Sequence, residues 1–402
     1  MQYREDPKSG NRLSALGFGC MRLPRGINAR IDPDRSEELI LRAIEQGVNY
    51  FDTAYIYMGS EEALGAAFRR NPVRDRIYLA TKLPYGQCRR YEDFDRIFSE
   101  QLERLNTDYI DYYLIHNLSS AALWENCRSL GIERWISEKK ASGKIRQIGF
   151  SFHGAQNEFM KLLDMYEWEF CQIQYNYMNE NYQAGTAGLQ KAHGMGLPVV
   201  IMEPLLGGKL ANPPKKAQEI MAAANLDAAP ASWAFRWLWD QKEVTTVLSG
   251  MNSIIQIDKN VKTAANTAIG SLTDDERKTI ARIVASITEA YKIPCTGCNY
   301  CMPCTGGVNI PECFAAYNAS YNMGYITGMM QYMTSTGAAE AHKNFGARRC
   351  VKCGKCEKAC PQHIPVMKNL EAVGKRMEPA VMRAAMGLFR KITGGKSRRG
   401  DL

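Results

Sequence analysis

Along the first 270 residues, short apolar runs alternate with longer stretches whose apolar positions recur at helical spacing. The short runs read as strands and the longer stretches as amphipathic helices. Strands are predicted at Ala15–Cys20, Val48–Thr53, Arg76–Lys82, Tyr109–His116, Ile145–Phe152, Cys171–Tyr177, Pro198–Met202 and Val244–Ser249. A helix announced by Asp32-Pro33 runs through Ser36–Ile44, and others are predicted at Ser60–Arg70, Phe94–Leu105 and around Ile132–Ala141. The remaining four are Asn157–Met165, Gly188–His193, Ala231–Asp240 and Gln256–Asn266. Eight strand–helix pairs at this length predict an α/β fold, a (β/α)8 TIM barrel. Several strands are apolar without interruption, as expected of parallel strands covered on both faces. A doubly wound sheet would carry a glycine-rich turn after its first strand, and none is present.

Composition extends this picture to a second core. The 402 residues are 45% hydrophobic and 23% charged, enough apolar material for more than one compact unit. The net charge of +9 is uneven, with four basic and no acidic residues in Lys391–Arg399. That stretch reads as a solvated tail, and no nucleic-acid motif accompanies it. The polar opening MQYREDPKSGNRL predicts no secretory leader, and no apolar run has the length of a bilayer span. Thirteen cysteines are present, nine of them between Cys295 and Cys360. Clustered thiols without signs of export predict a cytoplasmic, metal-binding domain rather than a disulfide framework.

The second cysteine run is Cys350-Val-Lys-Cys353-Gly-Lys-Cys356-Glu-Lys-Ala-Cys360-Pro361. This C-x2-C-x2-C-x3-C-P spacing wraps three thiolates around a cubane and sends the fourth to a neighbouring cluster. The first run, Cys295-Thr-Gly-Cys298-Asn-Tyr-Cys301-Met-Pro-Cys304, keeps the first three spacings, but its last cysteine comes one residue early and precedes Thr305. Two-cluster logic predicts one [4Fe–4S] cluster on Cys295, Cys298, Cys301 and Cys360, and another on Cys350, Cys353, Cys356 and Cys304. Cys313 is left over for a structural role. Zinc is the alternative, but it usually pairs two C-x2-C knuckles. The spacer between the runs has a helical look over Pro311–Met333 and resembles α-helical ferredoxin modules. The predicted organisation is a barrel over 1–270, a helical linker over 271–294, a two-cluster helical domain over 295–375, and a basic helix and tail over 376–402. Apolar residues at helical spacing across Val373–Ile392 predict packing against the cluster domain.

Four side chains fall where such a barrel places chemistry, at strand ends or just beyond: Asp52, Tyr57, Lys82 and His116. The segments that carry them, Phe51-Asp-Thr-Ala-Tyr-Ile-Tyr57, Leu79-Ala-Thr-Lys82 and Asp111-Tyr-Tyr-Leu-Ile-His116, together with Ile148-Gly-Phe-Ser151, resemble the signature segments of the aldo/keto reductase family. The resemblance covers roughly residues 10–267. It implies that the four residues form the catalytic tetrad. A phenol is a poor acid at neutral pH, and an ammonium from Lys82, held by Asp52, is expected to bring the Tyr57 pKa down. Tyr57 would then serve as general acid/base while His116 orients a carbonyl.

The resemblance also implies a nicotinamide site, with departures. Ser151 is followed by Phe152 where the family has Asn, whereas Gln172 matches the second amide contact. Met202-Glu203 stand where an aromatic ring would stack. Leu205, Gly207 and Lys209 resemble the loop around the cofactor phosphates. Ser249, Gly250, Met251, Asn252, Gln256, Lys259 and Asn260 match the dinucleotide segment, but Gly250 and Gln256 replace the basic residues that grip a 2′-phosphate. NADP(H) or NAD(H) is therefore expected without a set preference. Each cluster accepts one electron whereas hydride carries two, so FMN in the same pocket is the alternative. The expected activity is an oxidoreductase on a small carbonyl or alcohol substrate, with Tyr85 among the pocket residues and a redox partner protein for the clusters. The competing class, an electron-transfer or regulatory protein with a non-catalytic barrel, has no need of an intact tetrad.

Overall fold

The computed structural model describes residues 1–26, 30–224, 229–289, 291–295, 297, 300–322, 324–336, 345–360 and 362–380. The chain opens with an antiparallel pair, β1 (Tyr3–Glu5) and β2 (Arg12–Ser14). Eight parallel strands follow: β3 (Leu16–Gly19), β4 (Tyr50–Asp52), β5 (Tyr78–Leu83), β6 (Ile110–Ile115), β7 (Ile145–Phe152), β8 (Phe170–Gln174), β9 (Val199–Met202) and β10 (Thr246–Ser249). They close in sequence order, with β10 pairing back onto β3. The helices around them are α1 (Pro33–Glu45), α2 (Ser60–Arg70), α3 (Glu92–Leu105), α4 (Ala121–Ser129), α5 (Ile132–Ala141), α6 (Gln156–Met165) and α7 (Gly185–Gly194). Further along, after α8 (Lys215–Ala223), which belongs to the second unit, come α9 (Pro230–Trp239) and α10 (Ile254–Ala265). The (β/α)8 barrel is thus the fold.

Strand alternation explains the interior. Tyr50, Ala80, Tyr112, Leu114, Phe170, Val200 and Leu248 form one cluster inside the barrel, while their neighbours Phe51, Leu79, Tyr113, Ile201 and Val247 belong to the core beneath the helices. Continuing each inward column by one step gives Asp52, Lys82, His116, Gln172 and Met202. The pocket side chains stand at or next to the last inward positions of their strands. The opposite end is plugged by the β1–β2 hairpin, where Leu13 joins the inner cluster and the Tyr112 hydroxyl donates to Asp6 at 2.7 Å.

Local signals set the helix ends. Asp32 accepts from the Arg35 amide at 3.1 Å and Pro33 fills the first position of α1, as the sequence predicts. The sequence reading has no counterpart for α4, which buries only Trp124 and Cys127 and so shows little apolar period. The strand expected at Cys171–Tyr177 ends instead at Gln174, where its pairing with Met202 stops.

The chain forms two compact units, one comprising residues up to 212 with the described residues from 229 to 277, the other residues 213–224 with the described residues from 278 onward. The second contains α12 (Ile310–Asn322), α13 (Tyr325–Ser335), α14 (Lys355–Ala359) and α15 (Val366–Met377), after α11 (Asp274–Glu289). Its core joins Val308, Phe314, Tyr332, Leu370 and Val373. The helical stretch expected over Pro311–Met333 is two helices, broken at Gly324, whose φ of 92° no other residue type adopts readily. The helix expected over Val373–Ile392 is met as α15 up to Met377, and residues 381–402 lie outside the described residues. No described helix is long and apolar enough to cross a membrane.

Gly65 on α2 sits where a Cβ would lie 1.9 Å from the Arg104 carbonyl oxygen. Gly65→Ala should therefore destabilise the barrel by about 1–3 kcal/mol, read as a lower midpoint in urea unfolding followed by tryptophan fluorescence.

Candidate active site and cysteine centre

Closing the barrel sets β4 beside β5, so that Lys82 and Asp52, 1% and 3% exposed, meet under the mouth. The Lys82 ammonium donates to Asp52 Oδ1 at 2.6 Å and to the Thr53 carbonyl at 2.6 Å. Burial alone would lower its pKa, but the Asp52 carboxylate and the Tyr57 hydroxyl hold it above the ordinary lysine value. Tyr57 follows β4 in the loop before α2, with its ring centroid 4.9 Å from Lys82 Nζ. The His116 ring meets the Tyr57 ring edge-on, with centroids 6.0 Å apart.

The Tyr57 pKa departs from expectation. Burial pushes it up, Lys82 pulls it down, and burial wins, so the phenol lies above its usual value. The ammonium offsets part of the desolvation cost without overcoming it, leaving Tyr57 as a protonated phenol at neutral pH. His116 moves the other way, lowered to about 3 first by burial and then by the Lys82 charge and His153. It is a neutral imidazole, and its buried Nδ1 has no partner among the described residues.

Around this group lie the residues expected to contact a cofactor. Ser151 Oγ accepts from the Asn117 amide at 2.8 Å. Gln172 Nε2 donates to Asp52 Oδ2 at 3.3 Å, which leaves its buried Oε1 unpartnered. Met202 ends β9, followed by Glu203 with φ 54°, whose carbonyl accepts from Asn176 Nδ2 at 3.1 Å. Leu205 precedes the single-turn segment Leu206–Ala211, which carries Gly207 and Gly208 in left-handed conformation and Lys209 after them. Ser249 accepts from Asn260 Nδ2 at 3.2 Å, Met251 is buried, and Gly250 lies between them. Gln256 Oε1 accepts from the Asn252 amide at 2.9 Å, and Lys259 is exposed on α10. Tyr85 lies near Asn117, its hydroxyl 3.5 Å from that carbonyl.

Two pocket residues escaped the sequence reading. Gln174, one inward step beyond Gln172, is buried with neither amide atom partnered. Its signal was the polar alternation Gln172-Ile173-Gln174 at a strand end. His153 pairs through Nδ1 with Gln183 Oε1 at 3.1 Å and contributes to the lowering of His116. As a lone histidine in a loop, it carried no signal.

In the second unit, Cys350, Cys353, Cys356 and Cys304 line one hollow, with Cys301 also on its wall. The Cys353 thiol is pulled below its usual value by the Lys355 amide and then by the Thr305 hydroxyl, so the residue standing in place of a proline serves the opposite cysteine run. Cys295, Cys301 and Cys360 pack against the same core. Asn318 holds both backbone groups of Ile293, just before Cys295, at 3.0 and 2.7 Å. Cys298 and Pro361 lie outside the described residues. Cys313 is fully buried, and burial drives its thiol far up. Among the described residues no three metal-ligating side chains converge as they would on one ion.

Residues 15–285 match the Aldo/keto reductase family. The chain belongs to that family. Residues 294–364 match the 4Fe-4S dicluster domain, so the chain is a family oxidoreductase with an iron–sulfur domain attached. L-galactose dehydrogenase from Arabidopsis thaliana is 28% identical, covering 71% of this chain and 94% of that protein. 6-dehydroglucose reductase from Novosphingobium aromaticivorans is 30% identical, covering 56% and 76%. Among solved structures, an aldo-keto reductase from Bacillus halodurans in its holo form superposes with a TM-score of 0.58 at 25% identity, covering 70% of this chain and 96% of that one.

His116 should remain neutral well below the ordinary histidine range. Its imidazole resonances in NMR should not titrate between pH 7 and pH 5, whereas an exposed histidine would move by about pH 6.5. Since burial lowers the folded pKa, His116 contributes stability above the unfolded value, and that contribution declines as pH falls from there toward 3.

Proposed function

We propose that the barrel interconverts a small carbonyl and its alcohol with Tyr57 as general acid/base, while the cysteine domain exchanges electrons through two [4Fe–4S] clusters. The observation that carries this reading is the buried Lys82–Asp52 pair beneath the Tyr57 ring, with neutral His116 edge-on to it. Tyr57, protonated at neutral pH, gives its proton to the carbonyl oxygen. As the phenol loses that proton, the Lys82 ammonium stabilises the oxyanion left behind. His116 offers a hydrogen bond to the same oxygen and orients it.

The mouth fits a nicotinamide dinucleotide, either NADP(H) or NAD(H). Buried amide atoms need partners, and Gln172 Oε1 and both amide atoms of Gln174 have none among the described residues. Gln172 and Ser151 would hold the ring side. Met202, Glu203, Leu205, Gly207 and Lys209 would line one strand-end loop, and Ser249 to Asn252 with Gln256, Lys259 and Asn260 the other. When bound, the cofactor supplies hydride to the substrate carbon. FMN in the same mouth is the second reading, favoured by Met202 in the stacking position and by one-electron clusters.

The metal assignment is Cys295, Cys298, Cys301 and Cys360 for one cluster, and Cys350, Cys353, Cys356 and Cys304 for the other. The shared hollow of the last four supports it. The organisation we infer is a barrel over 1–270, a helical linker over 271–294, the cluster domain over 295–375 and a basic C-terminal segment. Clustered free thiols suit a cytoplasmic protein that meets a redox partner.

Tyr57→Phe should lower turnover by about 10²–10⁴-fold while leaving the iron content and the visible absorbance intact; a fully active variant would remove Tyr57 from this role. Cys304→Ala, purified anaerobically, should lose iron from the Cys350–Cys356 cluster, seen as about half the wild-type iron per chain with one cluster's signal missing by electron paramagnetic resonance. Retention of full iron would refute the exchanged fourth ligand.

A further inference from the structure

The loops at the barrel mouth hold a cation that belongs to neither the tetrad nor the expected cofactor segments. Arg22 closes the single turn Cys20–Arg22 after β3, and its side chain is exposed. Its stem runs across Gly250, where a Cβ would lie 3.3 Å from Arg22 Cδ, 3.4 Å from its Cβ and 3.5 Å from its Cγ. Its guanidinium ends at the turn after β9, with one nitrogen 3.9 Å from where a Cβ on Gly207 would sit. There the chain passes through Leu206, Gly207 and Gly208 with φ of 48°, 70° and 98°, and a Cβ on Gly208 would meet nothing within 4 Å. Among the described residues Arg22 has no hydrogen-bond or ion-pair partner.

We infer that Arg22 is the phosphate-binding cation of the cofactor site, a role that rests on the barrel binding a nucleotide as proposed above. Gly250 occupies the position at which the family resemblance expects a basic residue. A Cβ there would press on the Arg22 stem by a few tenths of an ångström, so the glycine leaves room for Arg22, which brings a cation from the first strand–helix loop to a different part of the site. The guanidinium lies at the Gly207–Lys209 turn, away from Gln256, which is engaged by the Asn252 amide. That placement assigns it to the phosphate next to this turn rather than to a 2′-phosphate. In a dinucleotide this is the pyrophosphate, common to NAD and NADP. In FMN it would be the single phosphate ester. Arg22 is suited to either because its planar fork makes paired, charge-assisted hydrogen bonds to phosphate oxygens.

The test is titration of NADPH, NADH and FMN into the anaerobically purified full chain, by calorimetry, for the wild type, Arg22→Ala and Arg22→Lys. Arg22→Ala should weaken whichever of these the wild type binds by roughly 10- to 100-fold. NADPH and NADH should lose equally, and Arg22→Lys should recover part of the loss. Unaltered affinity in Arg22→Ala, or a loss confined to NADPH, would overturn the assignment while leaving the nucleotide reading in place. A wild type that binds none of the three would overturn both. A thermal melt shows that the variants are folded.

Discussion

The chemistry of the mouth hangs on a buried ion pair, the Lys82 ammonium against the Asp52 carboxylate at 2.6 Å. Two charges taken out of water are costly to hold, and their mutual attraction offsets that cost only when the geometry is tight and the remaining hydrogen-bonding groups are engaged. Here Thr53 supplies a carbonyl to the lysine, and Gln172 an amide to the carboxylate. Asp52 and Lys82 end neighbouring strands, whereas Gln172 comes from β8 across the barrel, so the full set of partners assembles only once the barrel has closed. Packing, electrostatics and reactivity are thus one arrangement. Loss of either charge would leave the other stranded in an apolar setting and would also shift the environments of Tyr57 and His116.

The same burial that makes the pair expensive tunes its neighbours in opposite senses. It keeps the phenol of Tyr57 protonated and the imidazole of His116 neutral, since it disfavours the charged form of each. Lysine assistance therefore emerges less as a lowering of the resting tyrosine pKa than as stabilisation waiting for the proton to leave. The cluster domain adds a constraint of another kind, because its centres accept electrons singly and the barrel handles them in pairs.

Much of this was legible in the sequence because the relevant periods are short. Two-residue alternation placed Asp52, Lys82 and Gln172 at strand ends facing inward, and thiol spacing brought out both cysteine runs. What was not legible depended on partners distant in the chain. The direction of the Tyr57 pKa required the balance between burial and a single ammonium, which spacing does not reveal. The passage of Arg22 over Gly250 joins residues from the first and last strand–helix loops. Gln174 was within reach, since its alternation with Gln172 was visible, but a strand predicted to run on to Tyr177 concealed that it stands at the rim. The break at Gly324 likewise fell inside an apolar stretch rich in Tyr and Met that reads as a single helix.

The hollow shared by Cys304 and Cys350 has a consequence for how this domain tolerates change. A link between those two positions converts the intervening residues into a closed loop whose ends no longer depend on the loop's own contacts. The entropy of closing such a loop grows only with the logarithm of its length. Insertions or deletions between the two helices of that loop should thus be inexpensive compared with a shift of even one residue within either cysteine run. The domain would be rigid in the spacing of its cysteines and permissive only at the connection between α12 and α13, since those helices supply its core.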